Sequence, residues 1–190
     1  PKAFNKDSVI GVPGLFKCWL KKNVGIINAV GTGVADDKVV YSYVNRMIVY
    51  YLGEQPILNQ VETYLCNDES QKKYVLENLS KLVVKPANAS GGYGIMIGPK
   101  ASSKERAEVA DKIKKNPREY IAQPLETLST APTITEKNIE PRHLDLRPFV
   151  LSGKTNYVTT GGLTRVALRR GSTIVNSSQG GGSKDTLIVE

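Results

Sequence analysis

The chain has 190 residues, 40% of them hydrophobic and 23% charged, values of a globular protein long enough for one large domain or two small subdomains. No apolar run approaches the roughly 18 residues that span a bilayer, and no signal-peptide pattern is present. The net charge of +8 invites a nucleic-acid reading, but Lys104, Arg106, Lys112, Lys114 and Lys115 alternate with Glu105, Glu108 and Asp111 as on a solvated helix face, and no run interleaves basic and aromatic residues; a site for a polyanionic nucleotide suits the same balance.

In chain order, a Gly-x-Pro-Gly turn (Gly11 to Gly14) leads into a short amphipathic piece, Leu15 to Leu20. Val24 to Val30 reads as a short buried strand that Gly31-Thr32-Gly33 breaks. Asp36 or Asp37 can cap a helix in which Val40, Tyr43, Val44, Met47, Ile48 and Tyr51 recur at helical spacing, with Gly53 as its stop. The stripe Val40, Val44, Met47, Tyr51 is expected in the core. Pro56 to Leu65 reads as extended, Ser70–Leu79 as a helix and Leu82–Lys85 as a strand. Ile95 to Gly98 is a second strand, so Gly91, Gly92 and Gly94 lie between two neighbouring strands. Ser102 with Glu105 forms a capping-box signature. The helix it starts carries Ala107, Ala110 and Ile113 on one side and stops before Pro117. Tyr120 to Gln123 is a further strand, with a hinge at Gln123–Glu126.

From Asp145 onward the pattern is hairpin-rich. Leu146–Leu151 and Asn156–Thr160 flank Ser-Gly-Lys, and Leu163–Leu168 and Thr173–Asn176 flank Arg-Arg-Gly-Ser. Gln179 to Lys184 reads as a loop, and Leu187-Ile188-Val189 as a last strand. Strands alternate with helices first and hairpins follow, which argues for an α+β fold of two subdomains. Cys18 and Cys66 have neither metal-ligand spacing nor the number for a disulfide framework, as suits reduced thiols in a cytoplasmic protein. The sole histidine, His143, cannot build a multi-histidine metal site.

The most informative stretch is Leu82 to Gly94, where an apolar run ends in Lys85 and a polar turn leads into Ser90-Gly-Gly-Tyr-Gly94. A strand there delivers one fixed cation, and a glycine loop can close over an anion such as phosphate. The duller alternative is that the glycines only turn a hairpin. The loop is not a Walker P-loop, because its lysine precedes the glycines.

Several segments now fall into an order: Asp37-Lys38, Leu-Val-Val-Lys85-Pro, Ser90-Gly-Gly-Tyr-Gly94, Tyr-Ile-Ala-Gln123-Pro, Asp145-Leu-Arg147-Pro-Phe-Val, Arg165-Val-Ala, then Asn176 and a glycine run. This order resembles the ATP-grasp superfamily across nearly the whole chain. Gly-Gly-Leu-Thr-Arg-Val-Ala and Gln-Gly-Gly-Gly-Ser-Lys-Asp-Thr are similar to its circularly permuted type 2 branch, whose members carry labels such as domain of unknown function or glutathionylspermidine-synthase-like. The resemblance implies two α+β subdomains with mainly antiparallel sheets around a nucleotide cleft. Residues 1–66 would be the end of a preceding region and a lead-in helix, 67–123 the subdomain with the glycine lid, and 124–190 the second subdomain.

It also implies roles. Lys38, Lys85 and Lys184 would contact the nucleotide, Ser90, Gly91, Gly92, Tyr93 and Gly94 would form the lid over the phosphates, and Gln123 would lead into the hinge beside the adenine. Arg147 and Arg165 would serve catalysis, and Asp145 and Asn176 would hold Mg²⁺. The implied reaction joins a carboxylate to an amine or thiol through an acyl-phosphate, with ATP and Mg²⁺ as cofactors and small-molecule or peptide substrates. No membrane or nucleic acid is implied, and a protein partner stays open. The alternative is a non-catalytic nucleotide-binding or partner-assembly module. One departure favours it: the Glu-x-Asn metal strand of such enzymes is absent here, and in the permuted branch it is expected before Pro1, so the chain reads as a fragment.

Overall fold

The computed structural model describes residues 2–9, 11–28, 31–89, 91–136, 138–173, 175 and 180–186. The fold is α+β, with two four-stranded antiparallel sheets. In the first half, helices α1 (Leu15–Leu20), α2 (Lys38–Tyr41) and α3 (Val44–Leu52) precede strand β1 (Tyr64–Leu65). Helix α4 (Glu69–Glu77), strands β2 (Leu82–Pro86) and β3 (Met96–Ile97), helix α5 (Ser103–Lys115) and strand β4 (Tyr120–Pro124) follow. The first sheet has the order β1-β4-β2-β3. The second, in the order β5-β6-β7-β8, comprises β5 (Thr130–Ile134), β6 (Ile139–Ser152), β7 (Asn156–Ala167) and β8 (Gly181–Lys184).

The alternation of β2 and β4 divides the first sheet into two faces. Leu82, Val84, Met96 and Ala122 point to one face, where Val75 and Leu79 from the α4 region, Ile113 of α5 and Cys66 complete the core. Burying each of the larger of these side chains contributes about 1.5–3 kcal/mol. Ser102 accepts a hydrogen bond from the Glu105 amide while the Glu105 carboxylate accepts from the Ser102 amide, so the expected capping box starts α5. The face of α5 turned inward is Val109, Ala110 and Ile113; Ala107, expected there, is exposed.

Burial pushes the Cys66 thiol up to about 11, with Lys72 pulling weakly the other way. The thiolate is therefore scarce near neutral pH. Iodoacetamide at pH 8 is expected to label only the exposed Cys18 in the native chain and both thiols after unfolding. Native labelling of Cys66 at the rate of Cys18 would contradict a closed α4–β1 core.

Several sequence expectations change. Residues 24–28 are bends and irregular chain rather than a strand, because no described strand pairs with them, and residues 29 and 30 lie outside the described residues. The helix ending at Gly53 is interrupted at residues 42–43 into α2 and α3; Asp37 caps α2, and Gly53, at φ 66°, ends α3 as expected. Its apolar stripe is not core: Tyr51 is 75% exposed and Met47 36%. A helical period makes a helix amphipathic, but burial needs a neighbour, and no described element covers this face. Of the extended reading at Pro56–Leu65, only Tyr64–Leu65 enters a sheet.

In the second sheet, β7 pairs with β8, built from the glycine run that reads as a loop; of the strand expected at 173–176, residues 174 and 176 lie outside the described residues. Gly182 faces Val166, and a side chain there would press on Leu168 at 2.9 Å, which is why a glycine-rich segment can lie on this edge. The β6–β7 hairpin is longer than the expected pieces, running through a register shift between Pro148 and Val150. Strand β5, not expected, pairs with β6. The last strand expected at Leu187–Val189 lies outside the described residues.

Candidate functional site

The face of the first sheet turned away from the helices carries Val83, Lys85, Ile97 and Gln123, since Val83 stands opposite both Ile97 and Gln123. This face floors a cavity of about 550 Å³. Val61, Leu125, Leu128 and Val175 wall it with apolar surface, and Lys85, Gln123, Glu126 and Thr173 bring polar groups to it. The expected hinge at Gln123–Glu126 thus forms one rim. An imidazole nitrogen of His143, Nδ1, lies 2.7 Å from the Leu128 carbonyl, which ties the far end of that rim to β6.

Lys85 is half-buried, and its Nζ donates to Gln123 Oε1 at 2.6 Å. Gln123 is 7% exposed, and its Nε2 donates to Thr63 Oγ1 at 2.8 Å. Burial, and then the positive charge of Lys38, hold the Lys85 ammonium below the usual lysine value. Lys38 opens α2, where the Asp37 side chain accepts from the Val39 amide at 2.8 Å. The Lys38 amide donates to the Ala87 carbonyl at 2.9 Å and its ammonium donates to the Ala89 carbonyl, so α2 is fastened to the segment just before the glycine loop.

Next to the first cavity lies a second, of about 270 Å³, lined by Asp36, Lys38, Ala89 and the loop residues Gly91, Gly92 and Tyr93. Gly92 and Ile95 line both. Gly91, Gly92 and Gly94 have φ of 69°, 82° and 72°, a left-handed conformation that glycine alone adopts at little cost. The loop therefore turns between β2 and β3 and brings its backbone beside both cavities, with Lys38 on the smaller and Lys85 on the larger. Ser90, expected in the lid, lies outside the described residues, and Tyr93 is 77% exposed.

Asp145, Arg147 and Arg165 share one face of the second sheet, Asp145 standing opposite Arg165. Arg147 Nη2 lies 3.1 Å from Asp145 Oδ2, and Arg165 Nε lies 3.6 Å from Asp145 Oδ1. That Oδ1 and that Nε are buried without a hydrogen-bond partner. The cluster lines neither cavity. Lys184 stands opposite Thr164 and so faces the other side of the sheet, where its ammonium donates to the Pro132 carbonyl. The structure thus gathers Lys38, Lys85, Gln123 and the glycine loop, groups the Asp–Arg trio by itself, and sets Lys184 apart.

Asn176 lies outside the described residues. Among those described, no three His, Cys, Asp or Glu side chains gather for a metal ion, and Asp145 is outnumbered by two guanidinium groups. This donor set does not fit a divalent cation by itself. Thr63, Leu128, Thr173 and Val175 join the site without a sequence signal. The pairing of β1 with β4, the connection from β4 to β5 and the path of the chain after β7 bring them there.

The profile described as circularly permuted ATP-grasp type 2 matches residues 1–167. An uncharacterized protein of Synechocystis sp. is 56% identical over 191 residues, covering 100% of this chain and 40% of its own length. An uncharacterized protein of Mycobacterium tuberculosis is 52% identical over 190 residues, covering 100% of this chain and 34% of its own. A Frankia casuarinae protein named "Putative glutamate--cysteine ligase 2-2" is 52% identical over 179 residues, 94% of this chain and 21% of its own. The chain therefore spans well under half the length of these relatives. It belongs to the circularly permuted ATP-grasp type 2 family.

Proposed function

We propose that the chain forms the nucleotide-holding part of an ATP-dependent ligase that joins a carboxylate to an amine or thiol. The observation that carries this reading is Lys85, half-buried at the floor of the larger cavity and adjacent to the glycine loop. Family membership and the name of the Frankia relative support a ligase-like role. In this reading the apolar cavity takes the base, and Lys38, Lys85 and the loop take the phosphates. Residues 67–123 are the lid subdomain, residues 124–190 the second subdomain and residues 1–66 the lead-in.

The chemistry implied is attack of a carboxylate on the γ-phosphate, followed by displacement of phosphate by the nucleophile. Such transfer depends on positioning and charge neutralisation. Lys85 and Lys38 neutralise phosphate oxygens, and the planar forks of Arg147 and Arg165 suit phosphate or carboxylate. Asp145 holds both forks in one orientation, which limits what they lose in entropy on meeting an anion. The loop over the hollow excludes water from a hydrolysable intermediate. Magnesium, which the family generally uses, would neutralise phosphate charge further.

Mg·ATP at saturating concentration is expected to raise the melting temperature by roughly 5–10 °C, the shift expected for a chain of this size at about a hundredfold excess over Kd. No shift at millimolar nucleotide would overturn the reading. A second reading, an assembly module, is favoured by the uncovered apolar side of α3 and the segment after it, where Tyr50 is 81% exposed, Ile57 95% and Leu58 83%. ATP-dependent release of ADP with an amino-acid or peptide acceptor would decide for the ligase.

A further inference from the structure

We propose that Thr63 is a positioning residue, fixing the side-chain amide of Gln123 and through it the place of Lys85 in the cavity. Its nucleotide-affinity consequence rests on the function proposed above; its effect on Lys85 does not.

The argument begins with register. Tyr64 stands opposite Ala122 in the β1–β4 ladder, which puts Thr63 across from Gln123 on the cavity face. Three hydrogen bonds then run in one direction. Thr63 Oγ1 donates to the Val61 carbonyl at 3.0 Å, so toward Gln123 it can only accept. Gln123 Nε2 donates to it at 2.8 Å, which turns the amide Oε1 toward Lys85, whose Nζ donates to that oxygen at 2.6 Å. An ammonium has donors only. Were the amide reversed, Nε2 would meet the ammonium and Oε1 would meet a hydroxyl already committed as donor, leaving two mismatched contacts.

The burial of Gln123 makes this orientation matter, because bulk water cannot supply replacement partners. Lys85 needs the acceptor: Lys38, at the start of α2, repels it, and Glu126 is the other charged group lining the same cavity. Thr63 lies outside the strand–loop motif and is not among the residues lining the cavity that holds Lys85. Its effect travels through the amide.

The test compares Thr63→Val, which keeps the shape and loses the hydroxyl, with Thr63→Ser, which keeps the hydroxyl. The first readout is the Nζ titration of Lys85, followed by NMR in the nucleotide-free chain with isotope-labelled lysine and assigned with Lys85→Met. Thr63→Val is expected to lower the titration point further, because the amide no longer holds its oxygen on the ammonium; Thr63→Ser is expected to match the parent chain. The second readout is ATP affinity by calorimetry. Thr63→Val should weaken it about five- to tenfold, the scale of one hydrogen bond, and should add nothing in a Lys85→Met background. Thr63→Ala serves in the same comparisons if the valine variant does not fold.

A Lys85 titration that is the same with and without the hydroxyl overturns the proposal, as does a serine variant that behaves like the valine one. If no form binds ATP but the titration moves as described, the ligase reading fails and the positioning role stands. If ATP binds and the titration is unmoved, the reverse holds.

Discussion

Lys85→Met is expected to abolish most of the thermal stabilisation by Mg·ATP while leaving the nucleotide-free chain close to its original melting temperature. Two opposing changes produce the second half of that result. The parent chain keeps an ammonium half-buried next to Lys38, an arrangement that lowers its proton affinity below that of the unfolded chain. Between the folded and unfolded values the unfolded chain binds more protons, so stability rises with pH through that window and the charged lysine is a cost below it. Methionine removes that cost and fills similar space. Against this, Gln123 Oε1 loses its donor in a site that is 7% exposed, a penalty of about 1–3 kcal/mol. The two effects oppose each other.

Nothing opposes the loss on the nucleotide. Removing a hydrogen bond to a charged group costs about 2–3 kcal/mol, or roughly 30- to 150-fold in affinity. A ligand at about a hundred times its Kd would fall to about its Kd, and its stabilisation from about 2.7 to about 0.4 kcal/mol. Differential scanning fluorimetry with and without Mg·ATP checks both halves. A variant that keeps the full nucleotide shift would remove Lys85 from the site.

The first sheet was readable in the sequence because its signals are local. Leu82 to Lys85 is a branched apolar run, Ser102 and Glu105 form a capping box, and the glycines announce left-handed turns; each corresponds to an element the structure contains. Family and fold class followed from the order of such motifs. The second sheet was less legible because its pairing is set at a distance. Gly181–Lys184 has no strand propensity of its own, and it becomes a strand by completing the edge of β7. The stripe on α3 failed for the complementary reason: periodicity says which side of a helix is apolar and is silent on whether anything lies against it. At the larger cavity, Lys85 and Gln123 come from motifs the sequence displays, whereas Thr63 belongs to none. What brings Thr63 in is strand register, a property of two segments that neither carries alone. Register likewise set Lys184 apart, since one position along β8 moves a side chain to the other face.

Gly98→Ala is expected to be the most damaging methyl addition among the described glycines. Gly98 follows β3 and begins a 3-10 turn, and it passes beneath the connection between α4 and β2. A Cβ at Gly98 would stand 1.8 Å from the Leu79 carbonyl oxygen and 2.6 Å from that of Leu82. Both obstacles are backbone, so no side-chain rotation relieves the contact. The strand must move instead, and with it Met96, which pairs with Val84 and belongs to the core. Overpacking of a core ordinarily costs about 1–3 kcal/mol, and a clash with backbone on two sides belongs beyond that range, at about 4 kcal/mol or more. For a chain of this size that is a fall in melting temperature of roughly 8–16 °C. Gly25→Ala is the control: a Cβ there meets nothing within 4 Å, and its melting temperature should be unchanged within a degree or two. The consequence reaches the site, because β3 is the outgoing anchor of the glycine loop and Ile97 lines the larger cavity. Gly98→Ala should therefore lose nucleotide affinity together with stability, whereas Lys85→Met loses the first alone. A Gly98→Ala chain melting within 3 °C of the parent would mean that β3 does not pass this close to the α4–β2 connection.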